Sequence, residues 1–283
     1  MKAFKKVLSV LLCVLFIGAL FAGCKSSSDA DEITEKTMVI VYTEEAAPFL
    51  YTGEDGKLTG FDAEIVANTF DSFKGDYKNY QFVQVEEGFR LGEDTAYTDA
   101  DGNTYTSDLM IGGMKKNVGT ANEDYKWSAD IIQNDYIVIV PADSQIKNYN
   151  DIDKAIAAVS SQAALDALNA NYTIAGRLDA ANLVDGIDAA LAALAAGDAE
   201  IVVADSISFN AADRSDAYTV LDGTLGSDTY GFAFAKTSWI DESFNEAVKE
   251  MLSADYGDGD TLTPIVEKYF GSSTACIFSY GND

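Results

Sequence analysis

Residues that could bind a small solute, through side-chain or backbone groups, follow the ends of several predicted strands. They are Thr43 and Glu44, Gly113 and Met114, Ser160 and Ser161, and Asp205. In open α/β sheets, ligands bind beyond the carboxyl ends of the strands, where a few convergent polar groups fix their orientation. Glu44 and Asp205 are the only plausible acid–base pair for catalysis at these ends. The chain has no histidine, which removes the commonest general base and the commonest metal ligand.

The segment Thr95–Asp108 has some of the residue types of a calcium loop. Asp99, Asp101 and Asn103 could supply oxygen ligands. However, the glycine of this segment precedes Asn103 instead of following it, and the twelfth loop position is Met110 rather than a glutamate. Threonines and tyrosines alternate around an Asp-Gly pair, and this pattern predicts a β-hairpin. We predict no metal site and no cofactor.

The N-terminal segment has the parts of an export signal. Lysines in the first six residues precede the apolar run Val7–Phe21, and two small residues then lead to Cys24. The run is shorter than the ~20 residues that a spanning helix needs. The letters "LFAGC" resemble a bacterial lipobox, which implies cleavage after residue 23 and a lipid on Cys24. The alternative is an ordinary secretory signal in which the cysteine occurs by chance.

Charge and cysteine content describe a soluble, disulfide-free mature chain. The sequence has 46 acidic and 19 basic side chains, a formal net charge of −27, which disfavours nucleic acid as a partner. Residues 24–36 are polar and lack periodicity, so we predict a flexible tether. Cys13 would leave with the signal and Cys24 would carry the lipid. Cys276 would then be alone, without an internal disulfide.

Hydrophobic periodicity predicts alternating strands and helices, hence an α/β class with largely parallel sheets. Strands are predicted at 38–43, 80–85, 136–140, 155–159 and 230–235, and one more ends at residue 205. Asp55 and Gly56 predict a hairpin turn. Helices are predicted from Asp62, which would cap the first one, from about Gln162, and over 185–197, 241–253 and 260–270.

Several segments together resemble the polar amino-acid family of extracellular solute-binding proteins. They are "PFLYTGEDGKLTGFDAEI", "DLMIGGM", "YKWSADIIQNDYIVIVPADSQIKNYNDI", "DAALAALAAGDAEIVVAD", "YGFAFAK" and "TPIVEKYFG". The resemblance covers about residues 38–272. It implies a two-lobed periplasmic-binding-protein-like type II fold, with two crossover strands and a central cleft. Lobe one would be 37–136 plus 229–283, and lobe two 137–228.

The resemblance also implies ligand-binding roles for residues of both lobes. Phe49 and Tyr51 would be aromatic walls of the cleft, or else core residues. Asp205 would hold a ligand ammonium, or cap the helix that follows it. The family's backbone N–H groups at a helix N-terminus meet the ligand carboxylate, and that segment falls here on Ser160, Ser161 and Gln162. Further candidates by position are Glu44, Phe89, Gly113 and Met114.

One family feature is missing from the sequence. The family places an arginine a few residues after Gly-Met, where it binds the α-carboxylate of an amino acid. Here that position falls on Thr120 or Ala121, and the only arginines of the chain are Arg90, Arg177 and Arg214. Lys115 could supply a point charge in its place, or could be a solvated lysine.

The sequence therefore predicts a lipid-anchored substrate-binding protein of an ABC importer, on the outer face of a bacterial membrane. It would be a monomer that captures an amino acid or related small polar solute by hinge closure. Its partners would be that solute, a permease and the membrane that holds the lipid on Cys24. The alternatives are a dehydratase-like enzyme on the same fold and a ligand-sensing or adhesin-like surface lipoprotein.

Overall fold

The computed structural model describes residues 33–116, 121–211, 217–252, 260–272, 275 and 277. The predicted signal, the lipidation site Cys24, most of the tether and Cys276 lie outside these residues. No helix in the described part is both long and apolar enough to cross a membrane. The chain divides into two compact units, unit 1 (residues 1–112) and unit 2 (residues 113–283). The lobe boundaries expected from the sequence stay a prediction.

Unit 1 contains a small parallel sheet, one helix and two hairpins. Its elements are β1 (Thr37–Tyr42), β2 (Tyr51–Thr52), β3 (Leu58–Thr59), α1 (Phe61–Phe73), β4 (Asn79–Gln84), β5 (Tyr97–Thr98), β6 (Thr104–Tyr105) and β7 (Leu109–Lys115), which continues into unit 2. β1 is buried along its whole length and pairs in parallel with both β4 and β7. Burial on both faces explains the continuous apolar run Met38–Val41 within it.

The structure confirms both hairpins expected in unit 1. β2 pairs antiparallel with β3 around the turn at Gly56, whose φ is 76°. β5 pairs antiparallel with β6. The carboxylate of Asp99 accepts hydrogen bonds from the N–H groups of Asp101 and Asn103 and from the Tyr105 hydroxyl. Asp99 thus closes the hairpin loop, and no metal-binding cluster of His, Cys, Asp or Glu occurs among the described residues.

The Gly-Phe-Asp signature performs a packing role in unit 1. Gly60 has φ 122°, and a Cβ atom there would lie 2.4 Å from the Phe49 carbonyl oxygen, so only glycine fits. Phe61 is fully buried. The prediction that Asp62 caps the helix is wrong, because the N-cap is Gly60 and no side chain caps α1. The buried Asp62 carboxylate instead accepts a hydrogen bond of 2.7 Å from the Gly112 N–H.

Unit 2 contains a mixed sheet with helices on both faces. Its elements are α2 (Ala121–Asp124), β8 (Lys126–Trp127), β9 (Ile132–Pro141), a 3₁₀ turn (Tyr149–Asp151), β10 (Ala155–Val159), α3 (Gln162–Ala170), α4 (Tyr172–Ala175), β11 (Leu178–Leu183), α5 (Gly186–Ala196), β12 (Ile201–Asp205), α6 (Ser206–Asn210), β13 (Tyr218–Val220), β14 (Gly226–Phe234), α7 (Ile240–Leu252) and α8 (Leu262–Phe270). The strand order is β11-β10-β12-β9-β14.

The sheet of unit 2 is less parallel than the sequence predicted. β10 pairs in parallel with β11 and β12, whereas β9 pairs antiparallel with both β12 and β14. Alternate residues of β9, β10 and β12 join two separate apolar clusters, as the two-residue period of a strand requires. One cluster includes Ala164 and Leu168 of α3, and the other includes Leu191 and Leu194 of α5. The parallel pairing of β10 with β12 places the carboxyl ends of both strands at one edge.

Candidate functional site

Ser160 and Asp205 lie side by side at the carboxyl edge of the unit 2 sheet. β10 ends at Val159 and the parallel β12 ends at Asp205. The Ser160 N–H donates to the Val203 carbonyl at 3.0 Å, which continues the ladder one residue past the end of β10. Parallel strands bring the polar residues that follow them to one place. The parallel pairing of β10 and β12 therefore places these two positions at one edge of the unit 2 sheet, and their binding roles stay predictions.

The N-terminus of α3 contributes backbone donors and one unused hydroxyl to this edge. Ser161 is the N-cap, and its Oγ accepts from the Ala164 N–H at 3.1 Å. Ser160 is only 6% exposed, and its Oγ has no hydrogen-bond partner among the described residues. A buried hydroxyl without a partner is costly, so a bound group that accepts its proton would be stabilised. The Gln162 side chain instead bonds its own helix, at Asp166.

Asp205 performs one of the two roles that the sequence left open, the helix cap, and the ligand-binding role stays a prediction. Its Oδ1 accepts a hydrogen bond of 2.9 Å from the Ser208 N–H, which caps α6. The same oxygen accepts from Asn134 Nδ2 at 3.1 Å. Oδ2 accepts no hydrogen bond from the described residues. The cap is thus confirmed, and the second oxygen stays available for a ligand donor.

Lys115 is held in an ion pair that the sequence did not predict. Its Nζ lies 2.6 Å from Asp228 Oδ2, and the Tyr136 hydroxyl donates to the same oxygen at 2.6 Å. Burial works to lower the pKa of Lys115, but the Asp228 hydrogen bond and charge outweigh it and raise that pKa. Lys115 therefore remains an ammonium, and it lies 5.8 Å from the centre of the Tyr230 ring.

Tyr230 and Asn134 connect this ion pair to Asp205. The Tyr230 ring lies 5.8 Å from Lys115 Nζ, and Lys115 and Asn134 both act to lower the pKa of Tyr230 against the larger effect of burial. Asn134 Nδ2 then reaches Asp205, while its Oδ1 accepts from the Ile207 N–H at 3.1 Å. Burial is the main cause of the raised pKa of both Tyr136 and Tyr230, which keeps both hydroxyls protonated. We call these six linked side chains the polar network: Lys115, Asn134, Tyr136, Asp205, Asp228 and Tyr230.

Four members of the polar network were missed by the sequence analysis, namely Asn134, Tyr136, Asp228 and Tyr230. The predicted strands began at residues 136 and 230, whereas β9 begins at Ile132 and β14 at Gly226. The missed first parts of both strands are polar. A signal was present in the pairs Asn134-Asp135 and Ser227-Asp228, since polar residues next to an apolar strand mark a functional edge.

The candidate residues of unit 1 occupy different environments. Glu44 is exposed, while Phe89 and Tyr51 are partly buried. Phe49 is 7% exposed and packs edge-on against Phe61, with ring centres 6.4 Å apart. The contact of Phe49 favours the core alternative for that residue. Binding roles for all four residues stay predictions.

The Gly-Gly-Met segment has an unusual backbone. Gly112 and Gly113 have φ values of 109° and 70°, in the left-handed region that favours glycine. Gly113, Met114 and Lys115 are all partly exposed. The Lys116 N–H, one residue further, donates to the Thr229 carbonyl of β14 at 3.0 Å. This bond places Lys115 beside β14, where Asp228 can pair with it.

A small polar pocket of about 190 Å³ lies elsewhere, in unit 1. It is lined by residues of the tether end, β1 and the β5–β6 hairpin: Glu35, Thr37, Met38, Val39, Tyr77, Thr104, Tyr105, Thr106 and Asp108. Burial raises the pKa of Asp108. Asp108 has no hydrogen-bond or ion-pair partner among the described residues.

Comparison with known proteins supports the fold. No protein-family model and no curated protein matches the chain. The L-cystine solute receptor of Neisseria gonorrhoeae, in its unliganded open conformation, is 19% identical with a TM-score of 0.64, over 85% of this chain and 96% of that one. A polar amino acid ABC uptake transporter substrate-binding protein from Streptococcus thermophilus is 17% identical with a TM-score of 0.63. The match covers 85% of this chain and 88% of that one.

An ancestral cationic amino acid solute-binding protein has a TM-score of 0.58 at 18% identity, over 83% of this chain and 96% of that one. These solved structures are solute-binding proteins. The expected fold class is thereby confirmed: the chain has the mixed α/β, periplasmic-binding-protein-like type II fold of amino-acid receptors of ABC transporters.

Proposed function

We propose that this chain is the substrate-binding protein of an ABC importer and that it binds an amino acid or a related small polar solute without chemical change. It would be a lipid-anchored monomer outside a bacterial cell and would deliver the solute to a permease. The fold it shares with amino-acid receptors supports the class of function. The ligand itself must be argued from the chain's own residues.

The observation that carries the proposal is the pair of opposite binding groups at one edge of unit 2. Asp205 offers a carboxylate oxygen that accepts no hydrogen bond from the described residues. At the same edge, α3 offers N-terminal N–H groups, and the Ser160 hydroxyl has no hydrogen-bond partner within the described ranges. A carboxylate suits an ammonium group, and a helix N-terminus suits an anion. An α-amino acid carries both groups on one carbon atom, Cα.

The test is ligand binding by the purified protein, measured by thermal shift and titration calorimetry against the twenty amino acids, small amines and small carboxylates. At least one compound should raise the unfolding temperature, because a ligand at 100 times its Kd stabilises by about 2.7 kcal/mol. Asp205→Asn should weaken that binding by about 10-fold or more, since a charged acceptor is lost. Asparagine still caps a helix, so the fold should persist.

Asp198→Asn provides the matched control. Asp198 is exposed and precedes the amino end of β12, opposite the end at which Asp205 lies. This variant makes the same change of charge and should bind as the unchanged protein does. The proposal would be rejected if no compound of the panel bound, or if a bound compound were chemically converted.

A further inference from the structure

We propose, building on the binding function above, that the solute carries a net positive charge and that Asp228 sets this preference by holding Lys115. The inference concerns the polar network of unit 2. It identifies the substrate class as organic cations with at least one ammonium group, such as a basic amino acid or an amine.

The first step is that Lys115 is not available to an anionic ligand. Its Nζ is 2.6 Å from Asp228 Oδ2, and the Tyr136 hydroxyl fixes that same oxygen at 2.6 Å. The Asp228 side chain is only 19% exposed. A ligand carboxylate that took Lys115 would leave Asp228 partly buried without its cation, which is strongly unfavourable.

The second step is that no cation among the described residues pairs with Asp205. Asn134 and the Ser208 N–H satisfy its Oδ1 with neutral donors. No Lys or Arg of the described residues forms an ion pair with it. In unit 2, Lys116 pairs with Asp130, Lys126 pairs with Asp241, and Arg177 donates to the carbonyl of Asn150. The polar network therefore holds two carboxylates and one ammonium.

The third step is the charge that a ligand must bring. An amino acid with a neutral side chain has no net charge, so it would leave the excess negative charge of this edge in place. A simple amine, or an amino acid with a basic side chain, would neutralise it. The N-terminus of α3 and Ser160 can still receive a carboxylate, so a basic amino acid satisfies both ends.

The experiment compares ligand pairs that match in shape and differ in charge. Titration calorimetry would measure L-arginine against L-citrulline, L-lysine against L-norleucine, and cadaverine, with L-glutamate as the anionic probe. The cation of a pair should bind about 10-fold or more tightly than its neutral partner. Raising the salt concentration should reduce this difference.

Two variants separate the roles of the ion pair. Asp228→Asn releases Lys115 and should weaken binding of the cation about 10-fold while strengthening that of L-glutamate. Lys115→Gln removes the ammonium and should keep or increase affinity for the cation. If Lys115 bound the ligand carboxylate instead, Lys115→Gln would weaken binding of a basic amino acid. Asp222 is exposed in unit 2, so Asp222→Asn is the control for the change of charge. Circular dichroism would show whether each variant is folded.

The outcomes are distinguishable. Tighter binding of citrulline, norleucine or glutamate by the unchanged protein would overturn the charge preference but leave the binding function standing. A preference for cations that Asp228→Asn left unchanged would overturn the role of Asp228. Absence of binding across these probes and the wider panel of amino acids, amines and carboxylates would reject the proposed function itself.

Discussion

At the scale of single residues, the sequence signatures of this chain mix packing roles with binding roles. Gly60, Phe61 and Asp62 belong to the most recognisable segment of the sequence, yet the structure uses all three inside unit 1. Asp205, in a less distinctive segment, has at the strand edge a carboxylate oxygen that accepts no hydrogen bond from the described part of the chain. A signature therefore identifies a fold more securely than it identifies the residues that touch a ligand.

Asp62→Ala should lower the stability of the protein by about 1–3 kcal/mol, because the variant leaves the Gly112 N–H without its acceptor. Asp62 is 3% exposed, so water would replace the lost contact poorly. Urea unfolding would measure the change. Asp76→Ala, at an exposed position of the same unit, should cost less than about 0.5 kcal/mol. Equal stability of the two variants would contradict a buried structural role for Asp62.

At the scale of elements, hydrophobic periodicity predicted the buried strands and longer helices well. Apolar runs gave β1, β4, β10 and α5 to within one residue. Periodicity failed where burial is one-sided or absent. β11 is an edge strand whose residues are mostly exposed, so its sequence lacks an apolar run. The first parts of β9 and β14, residues 132–135 and 226–229, were missed for the same reason, and they hold two of the six side chains of the polar network, Asn134 and Asp228.

The β5–β6 hairpin encloses a carboxyl group that the fold disfavours as an anion. Burial raises the pKa of Asp108 above its ordinary value of 3.8. Folding therefore favours the protonated form of Asp108. This contribution to the free energy of unfolding is fully present below pH 3.8, and it is lost as the pH rises through the pKa of Asp108 in the folded protein. Asp108→Asn should therefore raise the unfolding temperature at pH 7, by roughly 1–3 °C.

The gain from Asp108→Asn should shrink toward pH 3, where the native side chain is also neutral. Thermal unfolding between pH 3 and pH 7 would measure it. Asp101→Asn, in the exposed turn of the same hairpin, should show little gain at any pH. If Asp108→Asn were less stable than the unchanged protein at pH 7, the charged carboxylate would instead be stabilising the fold.

At the scale of the whole molecule, the sequence alone carries the prediction of lipid anchoring. Cys24→Ser should release the protein from the membrane, because a serine hydroxyl cannot receive the thioether-linked lipid that anchors the chain. Cell fractionation and detergent phase partitioning would show the change. Cys276→Ser is the control and should remain with the membrane. A Cys24→Ser protein that stayed membrane-bound would contradict the lipobox interpretation.

The tight approach of Gly60 to Phe49 has a practical consequence for genetic selection. Each of the other nineteen amino acids would place a Cβ atom 2.4 Å from the Phe49 carbonyl oxygen, and this clash does not depend on any ligand. Saturation mutagenesis at this codon would thus report on folding alone. In a selection that requires the proposed import function, the loss of growth caused by Gly60 variants would measure the effect of misfolding. The effect of substitutions in the polar network can then be compared with that value.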